Sequence, residues 1–532
     1  MLLLRYVSLL TALFVLVSPW KGVGQTLYTP GRMPSQPPSK NRYKISGTVV
    51  NSATGEPVGR AKVQINGSAS QQVFTDGSGR FEMSDVPEGQ IVVSAQRPGF
   101  INSEMTGHRS PMIPVGPATP SIQVKLIPEG IIKGKTTNNE GEPVESVNVQ
   151  VLFQQISNGR KDWLPRGGTN TDENGEYQIE DLPPGQYLLH TSVSPLFPMN
   201  MAAENGPLTE IYPLQYFPNA PTQDSAQSII VQPGQAAEAD FRLSPVPSYS
   251  ISGSVSGPQD TSVSCNDADG NTLGFGRINH RTNQFKLVHI PSGSCTLTFH
   301  SQHTGGQIYF AEQPVTVNSS NITDIQAALQ PLPDIAIHFS SSTGGMPVQL
   351  HLVPRQKHWR GGQVYPMMQG GQSDSQTPAF KGVPPGSYKV VAHNLNNSCI
   401  GSLSSGGTDL LREDLTVVSG SAQAASIEVS LRTDCATLTG TMNANSPPVN
   451  VSAIVVPGSA GMEPKLVFAS NGNFVLPGLA PGEYTVYAFS DISDLEYANP
   501  EALREFSGQK ISVGPNEKAT VQLNLITRGD SK

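Results

Sequence analysis

One phrase recurs five times along this chain and limits what it can fold into. It is an aromatic-led run of alternating apolar and polar residues, then a turn built on Pro and Gly, then a second alternating run. The first copy reads Phe81-Glu82-Met83-Ser84-Asp85-Val86-Pro87-Glu88-Gly89-Gln90-Ile91, and the second Tyr177-Gln178-Ile179-Glu180-Asp181-Leu182-Pro183-Pro184-Gly185-Gln186-Tyr187. The others start at Phe285, Phe380 and Phe474 and turn at Gly293, Gly386 and Gly482. Alternation places every second residue on one face of a strand. Pro presets φ for a turn, and Gly accepts the positive φ that follows. The expectation is a β-hairpin at each copy, with the segment after the glycine running back as the partner strand.

Repetition at this interval decides the architecture. A closing phrase of two further alternating runs ends each unit, as in Ile229 to Leu243, Val315 to Leu329, Leu415 to Leu431 and Ile511 to Leu525, with a shorter form from Ile113 to Leu126. An opening phrase, Ile45-Ser46-Gly47-Thr48-Val49, returns as Ile132-Lys133-Gly134, Ile251-Ser252-Gly253 and Leu438-Thr439-Gly440. Units are therefore expected at 43–128, 129–246, 247–332, 333–431 and 432–532. The 532 residues accommodate five sandwiches of about 100 residues each. The 52 Gly and 45 Pro suit many short strands joined by turns. Helix is scarce; Pro500 to Phe506, with Asn499 as N-cap, is a short candidate.

The N-terminus reads as a targeting segment. Arg5 precedes an apolar run from Tyr6 to Val17, then Pro19 and the small residues Gly22 and Gly24. A signal peptide over 1–24 is expected, followed by a flexible leader over 25–42 rich in Pro, Ser and Gly. An uncleaved anchor is the alternative. The apolar run is short for a transmembrane span, so no span is expected in the mature chain. The net charge of −8 is spread along the chain without a basic stripe, which argues against a nucleic-acid partner. The expected location is secreted, periplasmic or at the cell surface.

Four cysteines in an exported chain suggest disulfides, and three connectivities are open. Cys295 stands where Tyr187, Tyr388 and Tyr484 stand in other units, an inward position on the returning strand, and Cys265 lies on an early strand of that unit. Cys399 and Cys435 flank the closing strands of the fourth unit. The preferred pairs are Cys265–Cys295 and Cys399–Cys435, with buried free thiols as the alternative.

The first two units resemble the carboxypeptidase regulatory-like domain. The pattern is an opening G-x-V, a G-x-P-V turn, and D-x-x-G-x-F/Y ahead of the Pro/Gly turn. Here Asp76-Gly77-Ser78-Gly79-Arg80-Phe81 and Asp172-Glu173-Asn174-Gly175-Glu176-Tyr177 carry the central piece. Ile91 departs from the closing Tyr, and units three to five keep only the Pro/Gly turn and the closing phrase. The resemblance implies a transthyretin-like or starch-binding-like seven-stranded sandwich and an accessory, non-catalytic role. The expected fold is all-β, about five tandem immunoglobulin-like or transthyretin-like β-sandwich modules.

No residue set carries a recognised catalytic pattern. None of the ten histidines is followed three residues later by Glu, as a zinc carboxypeptidase site requires. Gly-x-Ser-x-Gly and the phosphate-cradling Gly-x-x-x-x-Gly-Lys-Ser/Thr are absent. No cofactor or metal site is expected. Asp267-Ala268-Asp269-Gly270-Asn271 resembles part of a calcium loop but lacks its Glu, so a plain turn is expected. Asp76 and Asp172 are expected to accept backbone N–H bonds within their turns. His300 and His303 are expected to be surface polar residues. Trp163, among Arg160, Lys161, Asp162 and Arg166, and Trp359, beside His358 and Arg360, are the candidate ligand contacts. Each Trp could stack on a sugar ring, or pack back on its own sandwich. The functional reading is a non-catalytic binding or scaffold protein with a protein or polysaccharide ligand. A carbohydrate-binding accessory protein is the alternative, and a hydrolase joining acids and His from different units is the third.

Overall fold

The computed structural model describes residues 41–67, 69–101, 112–192, 210–258, 260–302, 307–340, 348–355, 368–369, 378–393, 398–418, 424–443, 451–459, 462–469 and 472–527. The expected signal peptide, nearly all of the leader, His303 and Trp359 lie outside these residues.

The described chain is almost wholly β, arranged as five sandwiches built to one plan. In each, the opening strand is the centre of one sheet. Arg42–Asn51 pairs antiparallel with the aromatic-led strand Arg80–Pro87 and parallel with the closing strand Ile122–Pro128. Gly130–Thr137, Val246–Ser256, Ile335–Phe339 and Ala436–Asn443 hold the same two kinds of partner. The second sheet is centred on the strand that follows the Pro/Gly turn. Gly89–Gln96 lies between Lys62–Gly67 and Met112–Val115. Gly185–Ser192, Gly293–Gln302, Gly386–His393 and Gly482–Phe489 are placed likewise.

In the first four sandwiches the two strands of the recurring phrase thus belong to different sheets; in the fifth, Asn473–Leu479 and Gly482–Phe489 lie in one seven-stranded sheet without pairing with each other. They form an arch across the sandwich, not the hairpin expected from sequence. The cause lies two residues before the proline. Asp85, Asp181 and His289 adopt φ of 65°, 57° and 61°, and the ladder to the opening strand shifts register there. Such a bulge twists the strand end out of its sheet. Pro then offers no N–H to continue the ladder. The turn glycines, with φ between 133° and 159°, deliver the chain to the facing sheet.

The repeated residues have separate jobs in this arch. The opening-phrase glycine sits directly across from the leading aromatic: Gly47 opposite Phe81, Gly134 opposite Tyr177, Gly253 opposite Phe285 and Gly440 opposite Phe474. A Cβ on Gly440 would lie 1.9 Å from the Phe474 ring. The closing Tyr donates its hydroxyl back to a carbonyl at the arch: Tyr187 to Pro183 at 2.5 Å, Tyr388 to Pro384 at 2.9 Å and Tyr484 to Ala480 at 2.7 Å. That bond satisfies a carbonyl that leaves the ladder at the crossing. In the first sandwich Ile91 fills the place with no exposure, and in the third Cys295 fills it and bonds to Cys265.

Five clusters of buried apolar residues follow the five sandwiches, spanning 45–126, 132–243, 251–329, 335–431 and 436–523. The second disulfide joins Cys399 and Cys435. The one α-helix among the described residues, Pro500–Leu503, has Asn499 accepting from the Glu501 amide at 3.2 Å. No helix there is long and apolar enough to cross a membrane.

Candidate binding surface

The second sandwich carries an extra layer. Its sheet Arg160–Asn170, Asn148–Ser157, Gly185–Ser192 is hydrophobic on both faces. The inner face contributes Val149, Val151, Tyr187 and Leu189 to the core. Leu152 and Leu188 point outward, where the segment around Tyr216 and Ala220 covers them. Trp163 packs half-buried against this outer cluster with Leu214 and Ala226. It therefore covers its own sheet with one part of the indole and meets solvent with the rest. Arg160 and Lys161 beside it are exposed, and Arg166 is half-buried with Nη2 lacking a hydrogen-bond partner among the described residues. Trp163 and Trp359 are not seen together, since only Trp163 is described.

The same layer buries His190 against the Tyr216 ring, with ring centroids 5.2 Å apart. Burial pushes the imidazole down to about 4, and its Nδ1 has no hydrogen-bond partner among the described residues. A neutral ring is the physical consequence. Tyr216 is pushed well up by burial.

Two contacts tie this layer to other sandwiches. On one side Asn271 donates from Nδ2 to the Tyr216 hydroxyl at 2.9 Å, and the Gln223 amide donates to Asp269 Oδ2 at 2.9 Å. The Asp267–Asn271 turn is a strand connection that caps itself, with Asp267 Oδ1 accepting from the amides of Asp269 and Asn271 at 2.9 and 2.8 Å. Burial holds Asp267 above the usual carboxylate range. Asp76 and Asp172 cap their turns the same way, each taking two amides at 2.8–2.9 Å. On the other side the hairpin tip of the second sandwich docks on the fifth. Asn158 and Gly159 turn with φ of 49° and 77°, the pattern of a two-residue Asn-Gly hairpin loop. The Gly159 carbonyl accepts from the Ala498 amide at 2.9 Å, the Lys161 amide donates to Glu496 at 3.1 Å, and Arg160 pairs with Glu463 at 3.1 Å. Ile156 packs on a cluster of Ile454, Phe489, Leu495, Tyr497 and Leu503. These two docking contacts were not foreseen from sequence. The Asn158-Gly159 pair marks the tip, but nothing in a single chain says what the tip meets.

Among the described residues no group of three or more His, Cys, Asp or Glu is placed to hold a metal. A cavity of about 410 Å³ lies beside the helix of the fifth sandwich, and Glu505 and Tyr487 are the ionisable side chains lining it. His300 is partly buried, and burial lowers its pKa.

Residues 44–110 match the carboxypeptidase regulatory-like domain. In this chain the matched segment holds the opening glycine, the self-capped Asp76 turn and the first arch. No curated protein matches the chain. Similar solved structures include the Bacillus anthracis TIE protein, at 9% identity over 93% of this chain and 76% of that one, with a TM-score of 0.17. A minor pilin of Streptococcus agalactiae aligns at 11% identity over 38% of this chain and 97% of its own, with a TM-score of 0.21. The shaft pilin SpaA of Lactobacillus rhamnosus GG aligns at 10% identity over 38% of this chain and 98% of its own, with a TM-score of 0.14. At these TM-scores the likeness carries no structural detail over to this chain.

Proposed function

We propose that the chain is an exported, non-catalytic binding or scaffold protein of the cell surface or periplasm, with modules at 43–128, 129–246, 247–332, 333–431 and 432–532. The observation that carries this reading is the repetition of one strand plan around five self-contained cores. Each core stabilises itself, so the loops at the sandwich ends are left to recognise a partner. The targeting pattern at the N-terminus and the two disulfides support an oxidising compartment. The test is retention of the purified chain on envelope preparations and on insoluble polysaccharides. Retention supports a binding role; a chain that neither binds these materials nor leaves the cytoplasm contradicts it.

A second reading is a carbohydrate-binding accessory protein. It is favoured by Trp163, which keeps part of its ring at the surface among cations and polar groups. Trp163→Ala should abolish polysaccharide retention under this reading; unchanged retention removes Trp163 from the site.

A further inference from the structure

Where the first sandwich meets the second, a cleft of about 470 Å³ opens at the strand ends. Phe74 closes strand Gln71–Phe74, Lys62 opens Lys62–Gly67 and Gln96 closes Gly89–Gln96. Lys62 stands directly across from both neighbours, so the three side chains form one row. Phe74 is 65% exposed, an unusual state for a large aromatic that could have been buried. Arg60 and Arg97 flank the row, and Arg97 Nη1 donates to the Gly59 carbonyl, which orients its guanidinium. None of the three cations forms an ion pair among the described residues. Asp181 of the second sandwich, exposed, also lines the cleft.

We propose that this cleft binds a uronate-bearing polysaccharide, with a sugar ring lying on Phe74, its carboxylate held by Arg60, Lys62 and Arg97, and its hydroxyls donating to Asp181. Three cations that line one cleft without an ion pair among the described residues call for an anion, and guanidinium groups match a planar carboxylate. The exposed ring calls for a flat, partly apolar face on the same ligand. Asp181 also meets the Glu129 carboxyl in a side-chain hydrogen bond, and its remaining acceptor capacity suits a sugar hydroxyl and not a simple anion. An extended peptide would need a free strand edge or an apolar groove; the lining here is a platform of strand ends. The volume lies within the range of small-ligand sites. This site is separate from Trp163 and goes beyond the binding role proposed above.

The test is affinity electrophoresis and calorimetry of the full chain with polygalacturonate, set against dextran and polyglutamate. Phe74→Ala and the pair Arg60→Ala/Lys62→Ala are suitable variants, because these side chains lie outside the apolar core and leave folding intact. Polygalacturonate should bind, and each variant should weaken it roughly tenfold or more. Dextran should not bind, because it offers no carboxylate. Polyglutamate binding as strong as polygalacturonate would reduce the site to simple charge attraction and overturn the proposal. So would polygalacturonate binding unchanged in Phe74→Ala, or no polygalacturonate binding at all. Loss of binding on Trp163→Ala but not on Phe74→Ala would overturn the cleft while leaving the surface-binding role standing.

Discussion

The docking of the second sandwich on the fifth can be broken with one methyl group. A Cβ on Gly159 would lie 2.6 and 2.7 Å from the Tyr497 ring and 2.8 Å from the Ala498 nitrogen. Tyr497 is 8% exposed in its cluster and has little room to retreat. Gly159→Ala therefore has two effects of different reach. The left-handed conformation at φ 77° costs about 1–2 kcal/mol with a Cβ present, whether or not the tip is docked. The clash costs about 1–3 kcal/mol and exists only in the docked state. Opening of the contact feels only the second. Hydrogen exchange at the Ala498 and Lys161 amides should accelerate roughly fivefold to a hundredfold. Tyr497→Ala removes the ring but leaves the Ala498 nitrogen 2.8 Å from the added Cβ, so adding Gly159→Ala to it should give a smaller further acceleration. Unchanged exchange in Gly159→Ala, or an equal acceleration with and without the Tyr497 ring, would refute this reasoning.

Other consequences are open to measurement. His190 titrates at about 4 in the folded protein against an ordinary value near 6.5, so the unfolded chain binds the extra proton. Its contribution is complete above about pH 6.5 and falls away as pH drops toward 4, a loss of about 3 kcal/mol. Thermal unfolding of the second sandwich should show that decline, and His190→Phe should flatten it. Replacing Cys265 and Cys295 together by Ser should lower the stability of the third sandwich by about 3–4 kcal/mol, since the bridge closes a separation of 30 residues; equal melting with and without reductant would contradict this. Tyr388→Phe leaves the Pro384 carbonyl without its donor and should cost about 1–2 kcal/mol by denaturant titration. Gly440→Ala, driven into the Phe474 ring, should cost about 1–3 kcal/mol or more, localised to the fifth sandwich by hydrogen exchange.

The sandwich class was legible because alternation, Pro/Gly turns and repetition all state it locally. The pairings of Cys265 with Cys295 and of Cys399 with Cys435 followed from where those residues sit in the repeat. The arch was misread as a hairpin because both place alternate residues on one buried face; only the ladder partners differ. A local clue exists: Asp85, Asp181 and His289 are residue types that tolerate positive φ, each two positions before a proline. The Gly-to-aromatic pairing also needed the register, which a single chain does not print. For Trp163, local charge and an aromatic ring suggested a platform, whereas the covering segment that buries half of it comes from more than 40 residues downstream. Phe74 gave no cue at all, because strand-end exposure depends on the neighbouring sandwich.

The most direct measurement is retention of the exported chain on envelope material and on acidic and neutral polysaccharides, with released fragments assayed in the same incubation. A non-catalytic binding protein should be retained on at least one of these and should release nothing. Release of saccharide or peptide fragments that tracks the purified chain would contradict the central reading and turn attention to catalysis.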